Sequence, residues 1–213
     1  MALDEKLVKF LKKNKDLLAD NKIFELFVQQ TAAYPNGPQS LTVDLLYFLT
    51  EAGFSLDEIL RKMLKTSKDI PDYMFSFYNH PALPSNSILH NTVLDLSKYP
   101  FERILLRAFE CSNMFEVIFP TTLKFIGYQA FRDCDDLKKV ILPEGFEEID
   151  EEAFSFCRCL KEVYIPDSCQ EIGKNAFEGC QAIKVVSIPD SIDEDDLYDI
   201  FPDVHEDCIF NVR

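Results

Sequence analysis

A chain of 213 residues, 47% of them hydrophobic, is long enough for one large domain or two small ones. Its net charge of −15 sits almost wholly in residues 144–213, where 19 acidic and 5 basic side chains leave −14, while 18 and 17 in residues 1–143 leave −1. Such a field repels phosphate and disfavours direct nucleic-acid binding. The longest apolar run near the start, Leu45 to Leu49, is far short of a membrane span. Met1-Ala-Leu-Asp-Glu-Lys opens no apolar leader segment, and the seven cysteines are odd in number, so the reading is reduced thiols in a cytoplasm.

The first 67 residues read as a small helical module. Leu3, Leu7, Phe10, Leu11, Leu17 and Leu18 keep a period near 3.6, with lysines filling the other face. Asp20 is placed to cap a second helix carrying Ile23, Phe24, Phe27 and Val28. Tyr34-Pro-Asn-Gly-Pro breaks the pattern, and a third helix runs from Ser40 to Gly53. Ser55-Leu-Asp-Glu58 is a capping box opening a fourth.

From residue 68 the period changes. Cys111, Cys134, Cys157 and Cys180 recur at a step of 23, as do Pro120, Pro143, Pro166 and Pro189. Met114, Leu137, Leu160 and Ile183 keep the step, and so do Val117, Val140, Val163 and Val186. Repetition at this length predicts a solenoid, in which each unit buries its apolar face on its neighbours. Clear units span 104–120, 126–143, 149–166 and 172–189, and each carries an Ala-Phe pair: Ala108-Phe109, Ala130-Phe131, Ala153-Phe154 and Ala176-Phe177. The first pair stands one residue closer to its cysteine, which predicts a shortened turn between Phe109 and Cys111. Ile70-Pro-Asp-Tyr-Met-Phe75 reads as a degenerate first unit, with an inserted loop over 79–86 and a strand at Val93-Leu-Asp-Leu96. The solenoid is expected over 68–190, followed by a cap over 191–213. There, an acidic helix Asp193–Phe201 precedes a last strand in Cys208–Val212.

Ile126-Gly-Tyr-Gln-Ala-Phe-Arg-Asp-Cys-Asp-Asp-Leu137 with Val140-Ile-Leu-Pro143, and Ile172-Gly-Lys-Asn-Ala-Phe-Glu-Gly-Cys180 with Val186-Ser-Ile-Pro189, resemble the BspA-type leucine-rich repeat family. The resemblance covers about residues 70–190. It implies an α+β chain: a right-handed leucine-rich-repeat solenoid with a parallel sheet on its concave side, preceded by the all-α module. It also implies recognition of proteins and surfaces, not catalysis. A helical leader before such repeats is similar to proteins encoded by bacteria and their phages.

The cysteines suggest a metal site only until their geometry is considered. Ligands must converge on one point, whereas thiols one coil apart point in parallel into the core as small hydrophobes. A serine in that ladder is expected to leave an unpaired hydroxyl. His80, His90 and His205 have no nucleophile or acid partner in any catalytic spacing, and the 6 glycines form no phosphate loop. No catalytic residue, metal or cofactor is assigned.

Strand alternation places Val140 and Leu142 inward and Lys139 and Ile141 outward. Stepping by 23 gives outward pairs Glu116/Ile118, Lys139/Ile141, Glu162/Tyr164 and Val185/Ser187. Ile118, Ile141 and Tyr164 thus form an apolar row on which a protein partner is expected to dock. The other reading is that the N-terminal helices or the 79–86 loop cover it, or that β-propensity alone selected Ile and Tyr. A second candidate is the acidic face Glu147, Glu148, Glu151, Glu152 and Glu171, either a solvated surface or a mimic of nucleic-acid charge that blocks a nucleic-acid-binding protein.

Overall fold

The computed structural model describes residues 92–212 continuously and, upstream, Lys13, Ser55, Asp57, Glu58, Arg61, 68–70, Asp72, Phe75 and Ser76. The expected four-helix module and the 79–86 loop lie outside the described residues, apart from the capping box. Its reciprocal bonds are formed: the Ser55 N–H donates to Glu58 Oε2 at 2.7 Å, and the Glu58 N–H to Ser55 Oγ at 3.2 Å. Tyr99 donates its hydroxyl to Asp57 Oδ1, which ties this turn to the repeats.

Each repeat coil contributes one strand to each of two parallel sheets, and the C-terminal cap adds a sixth strand to the longer one. The shorter sheet runs β1 (Asp69–Ile70), β3 (Arg103–Ile104), β5 (Phe125–Ile126), β7 (Glu148–Ile149) and β9 (Glu171–Ile172) in that order. Its register stacks the isoleucines, Ile70 on Ile104 on Ile126 on Ile149 on Ile172. The longer sheet is ordered β11 (Ile209–Val212), β10 (Val185–Ile188), β8 (Glu162–Tyr164), β6 (Lys139–Ile141), β4 (Glu116–Ile118) and β2 (Val93–Asp95). Strands of two to four residues suffice because register, not length, supplies the cooperativity: β2, β4, β6 and β8 each bury one valine or leucine on the neighbour's equivalent, and β1, β3, β5 and β7 an isoleucine.

Between the sheets the core is a set of ladders. Phe75, Phe109, Phe131, Phe154, Phe177 and Phe201 stack face to face, with centroids 4.7–5.2 Å apart and rings within 12° of parallel. Such pairs add about 0.5–1.5 kcal/mol each beyond the area they bury. The degenerate first unit is therefore a true coil, since Ile70 and Phe75 occupy its isoleucine and phenylalanine positions. The backbone follows suit: Phe131 N–H donates to Ala153 O at 2.8 Å, and Phe154 N–H to Ala176 O at 2.8 Å.

One expectation is corrected. Cys111 does not belong to the thiol ladder. The buried side chain beneath Cys134 is Ser112, and Cys111 sits half-buried at a backbone φ of 58°. The structure aligns Cys111 instead with Asp133, Phe156 and Gly179, whose φ values are 54°, 59° and 71°. The missing residue thus falls after Ser112, where one residue precedes Met114 and two separate Cys134 from Leu137. Nor is the ladder hydroxyl unpaired: Ser112 donates Oγ–H to Phe75 O at 2.8 Å. Cys134, Cys157 and Cys180 make the matching S–H bond to Phe109, Phe131 and Phe154 carbonyls at 3.2, 3.2 and 3.1 Å.

The C-terminal segment packs on the end of the stack. Helix α1 (Glu194–Ile200) is capped by Asp193, which accepts from Asp195 N–H. It delivers Ile200 and Phe201 to the positions of an Ala-Phe pair, so Phe177 N–H donates to Ile200 O at 3.0 Å. Phe201 meets Phe210 edge-on at 5.7 Å, which terminates the parallel stack. β11 then joins β10, pairing Val185 with Ile209.

Candidate binding face

The register of the longer sheet brings the predicted outward residues together. Glu116, Lys139, Glu162 and Val185 form one row across β4, β6, β8 and β10. In the second row Ile141 pairs with Tyr164 and Tyr164 with Ser187, while Ile118 occupies the same position on β4. Alternation holds throughout: Val117, Val140, Val163 and Val186 are buried, while Ile118 and Ile141 are 42% and 46% exposed. Tyr164 is half-buried, and its hydroxyl donates to Glu144 Oε1 at 3.2 Å.

These side chains line a shallow groove of about 410 Å³ over β6, β8 and β10, floored by Val140 and Val163. Six of the eight predicted residues line it; Glu116 and Ile118 lie on the next strand. Lys139 bridges to Glu162 Oε2 at 2.9 Å, which partly neutralises the polar row and leaves the isoleucine row as the apolar strip. The stepping argument passed over two further members of the face, Val93 at 53% and Ile209 at 58% exposure. Val93 pairs with Glu116, a step of 23 that was legible. Ile209 pairs with Val185 across 24 residues, because the cap coil is one residue longer, and a fixed step points to Cys208 instead.

The acidic candidates do not make one open surface. Glu147 bridges to Lys124 at 2.6 Å. Glu152 is half-buried and accepts from Arg132 Nη1 at 2.8 Å and Gln129 Nε2 at 2.6 Å. Glu148 and Glu171 are paired neighbours on the short sheet, and partial burial together with Glu171 raises the Glu148 carboxyl above its usual range. Glu151 is exposed.

Among the described residues no group of three or more His, Cys, Asp and Glu side chains is placed to hold a metal ion. His205 is exposed beside Asp207, with Nδ1 3.3 Å from its carboxylate, while His80 and His90 lie outside the described residues. Burial pushes the Cys157 and Cys180 thiols well above their ordinary range, Cys111 to about 12 and Cys169 to about 11. Such thiols are poor nucleophiles. Cys169 packs at the position held by Leu123 and Phe146 in the preceding coils, and Cys159 is exposed. Among the described residues, no helix is long and apolar enough to cross a membrane.

Residues 68–198 match the BspA type leucine rich repeat region in six copies, well over half of the chain. The chain belongs to this family. Leucine-rich repeat proteins generally mediate contacts between proteins, and their solenoid fold is typically non-enzymatic. Among solved structures, a leucine-rich repeat protein from Bacteroides ovatus is similar at 26% identity and a TM-score of 0.48, over 68% of this chain and 41% of that one. A leucine-rich repeat protein from T. pallidum is similar at 24% identity and 0.45, over 59% of this chain and 56% of that one. A leucine-rich cell-surface protein from Faecalibacterium prausnitzii is similar at 22% identity and 0.35, over 57% of this chain and 34% of that one. The chain thus spans about a third to just over half the length of these structures. No curated protein matches it.

Proposed function

We propose that this chain is a non-catalytic binding module that recognises a protein partner on the outward face of its longer sheet. The observation that carries this reading is the groove itself. Exposed Ile141 and half-buried Tyr164 pair across adjacent strands above a floor of buried valines, where parallel pairing puts their side chains about 5 Å apart. A contiguous apolar strip rimmed by charge is the arrangement that association buries, and tyrosine is a frequent anchor in it. Its setting is a reducing compartment, such as a cytoplasm, in which the ladder thiols stay available as S–H donors to carbonyls.

Site-specific photo-crosslinking in the source cell tests this reading. Benzoylphenylalanine in place of Tyr164 in the full chain should give a discrete protein adduct, and Ile141→Asp should abolish it without changing the circular dichroism spectrum. An adduct formed from Glu151 and not from Tyr164 would move the interface to the acidic face and end the proposal.

A further inference from the structure

The residues that precede the strands carry charge on opposite principles in the two sheets. At the entry to the short sheet, the coil-to-coil sequence is Lys68, Glu102, Lys124, Glu147, alternating in sign. Lys68 bridges to Glu102 at 2.5 Å and Lys124 to Glu147 at 2.6 Å, so this margin neutralises itself. At the entry to the longer sheet, Lys138, Lys161 and Lys184 each precede a strand by one residue, and all three are exposed. At its exit, Glu144, Asp167 and Asp190 each follow the strand-ending proline and are also exposed. Backbone bonds from Lys161 N–H to Lys138 O and from Lys184 N–H to Lys161 O, both 2.9 Å, prove that the lysines are stacked coil on coil. Like charges held one strand spacing apart repel, and the short sheet shows that this chain has the alternative available.

We propose that the groove receives an amphipathic helix of a partner protein, lying across the strands along the solenoid axis. Its apolar stripe rests on Ile118, Ile141 and Tyr164; carboxylates on one flank meet the lysine margin, and lysines or arginines on the other meet the acidic margin. This reading rests on the proposed function and specifies its partner. The dimensions agree. Six residue steps lead from Lys138 to Glu144, about 15–20 Å at the rise of a strand, which admits a helix of about 10–12 Å with its side chains. One helical turn advances about 5.4 Å against about 4.8 Å per strand, so residues at i, i+4 and i+7 stay in step with the apolar row. Tyr164 already joins row and rim through its bond to Glu144.

Three synthetic helical peptides with one apolar stripe provide the test, their flanks carrying glutamate on one side and lysine on the other, glutamate on both, or lysine on both. Titrated into the full chain at low salt, the mixed-flank peptide should bind about tenfold tighter than either other, since several exposed ion pairs each contribute a small factor. In the triple variant Lys138→Glu, Lys161→Glu, Lys184→Glu, where both margins are acidic, the preference should pass to the lysine-flanked peptide. Equal affinities, a preference unmoved by the triple variant, or no binding by any peptide would overturn the inference. So would self-association of the chain that Tyr164→Ala abolishes, because a second copy would then be the occupant. An adduct at Tyr164 in the cell combined with any of these results leaves the binding face in place and removes only the helical, charge-divided partner.

Discussion

Ser112 occupies in one coil the place that a thiol occupies in the next three, and it donates to the same kind of carbonyl. This sets the order of substitutions at the ladder. Cys157→Ser keeps a donor to Phe131 O and should cost about 1 kcal/mol or less, whereas Cys157→Ala loses the donor and opens a small cavity, costing about 1–2 kcal/mol. Urea denaturation measures both; a serine variant less stable than the alanine variant would contradict the role assigned to Ser112. Glycine at 173 is fixed by a different constraint. A Cβ there would stand 2.3 Å from the Glu151 backbone nitrogen and 2.6 Å from the Asp150 carbonyl carbon, neither of which can turn aside. Gly173→Ala should therefore lower stability by about 1–3 kcal/mol, read by the same titration.

Among the described residues, Glu110 is the one buried acid. Only 1% of it is exposed, Ser76 donates its hydroxyl to Oε2 at 3.1 Å, and Arg107 Nε lies 3.9 Å from Oε1. Burial raises its carboxyl above the ordinary 4.5, with Arg107 and Ser76 opposing. A raised carboxyl means that the folded state holds its proton more tightly than the unfolded chain, so this group's contribution falls as pH rises from about 4.5 through the folded value. Glu110→Gln cannot ionise, and its stability relative to the parent should therefore improve as pH rises through that window. A stability difference that stays flat with pH would show that Glu110 ionises in the fold as it does in water.

At the level of the element, a strand of three residues has one side chain in the core and two on the surface, and β8 is the clearest case. Val163 is buried on Val140 and Val186, while Glu162 and Tyr164 face outward. Val163→Asp should unfold the coil, because an unpaired charge would enter a stack with no polar partner. Tyr164→Ala should leave the melting temperature within a few degrees while weakening a partner by about 1–3 kcal/mol. Thermal melts of both variants decide the assignment; equal destabilisation would mean that the tyrosine belongs to the core. The capping helix acts at the same scale. Seven residues cannot be stable alone, and α1 holds because Ile200 and Phe201 complete the last coil's ladders.

At the scale of the molecule, the described coils pack each on the next, so the ends decide whether the middle stays folded. Removing residues 193–213 would expose the face of Phe177 that Phe201 covers at 4.7 Å, together with the β10 edge that β11 pairs. That truncation should bind a hydrophobic dye and unfold at lower denaturant than the full chain. Unchanged stability would show that the coils up to Pro189 close without a cap.

The sequence by itself determined the repeat, the alternation within each strand and the direction of every core ladder, because one side-chain pattern imposed on successive coils has one way to bury itself. It also placed Lys139, Ile141, Glu162, Tyr164, Val185 and Ser187 on one face before any coordinate. Where coils differ in length, counting misled: the step of 23 from Cys111 to Cys134 is real in the sequence but joins residues that do not stack. Only the tertiary structure decided that Ser112 takes the ladder position and that Ile209 lies beside Val185. A turn absorbs one residue more or less at little cost, whereas the hydrogen bonds and ring stacks between coils fix which residues must meet.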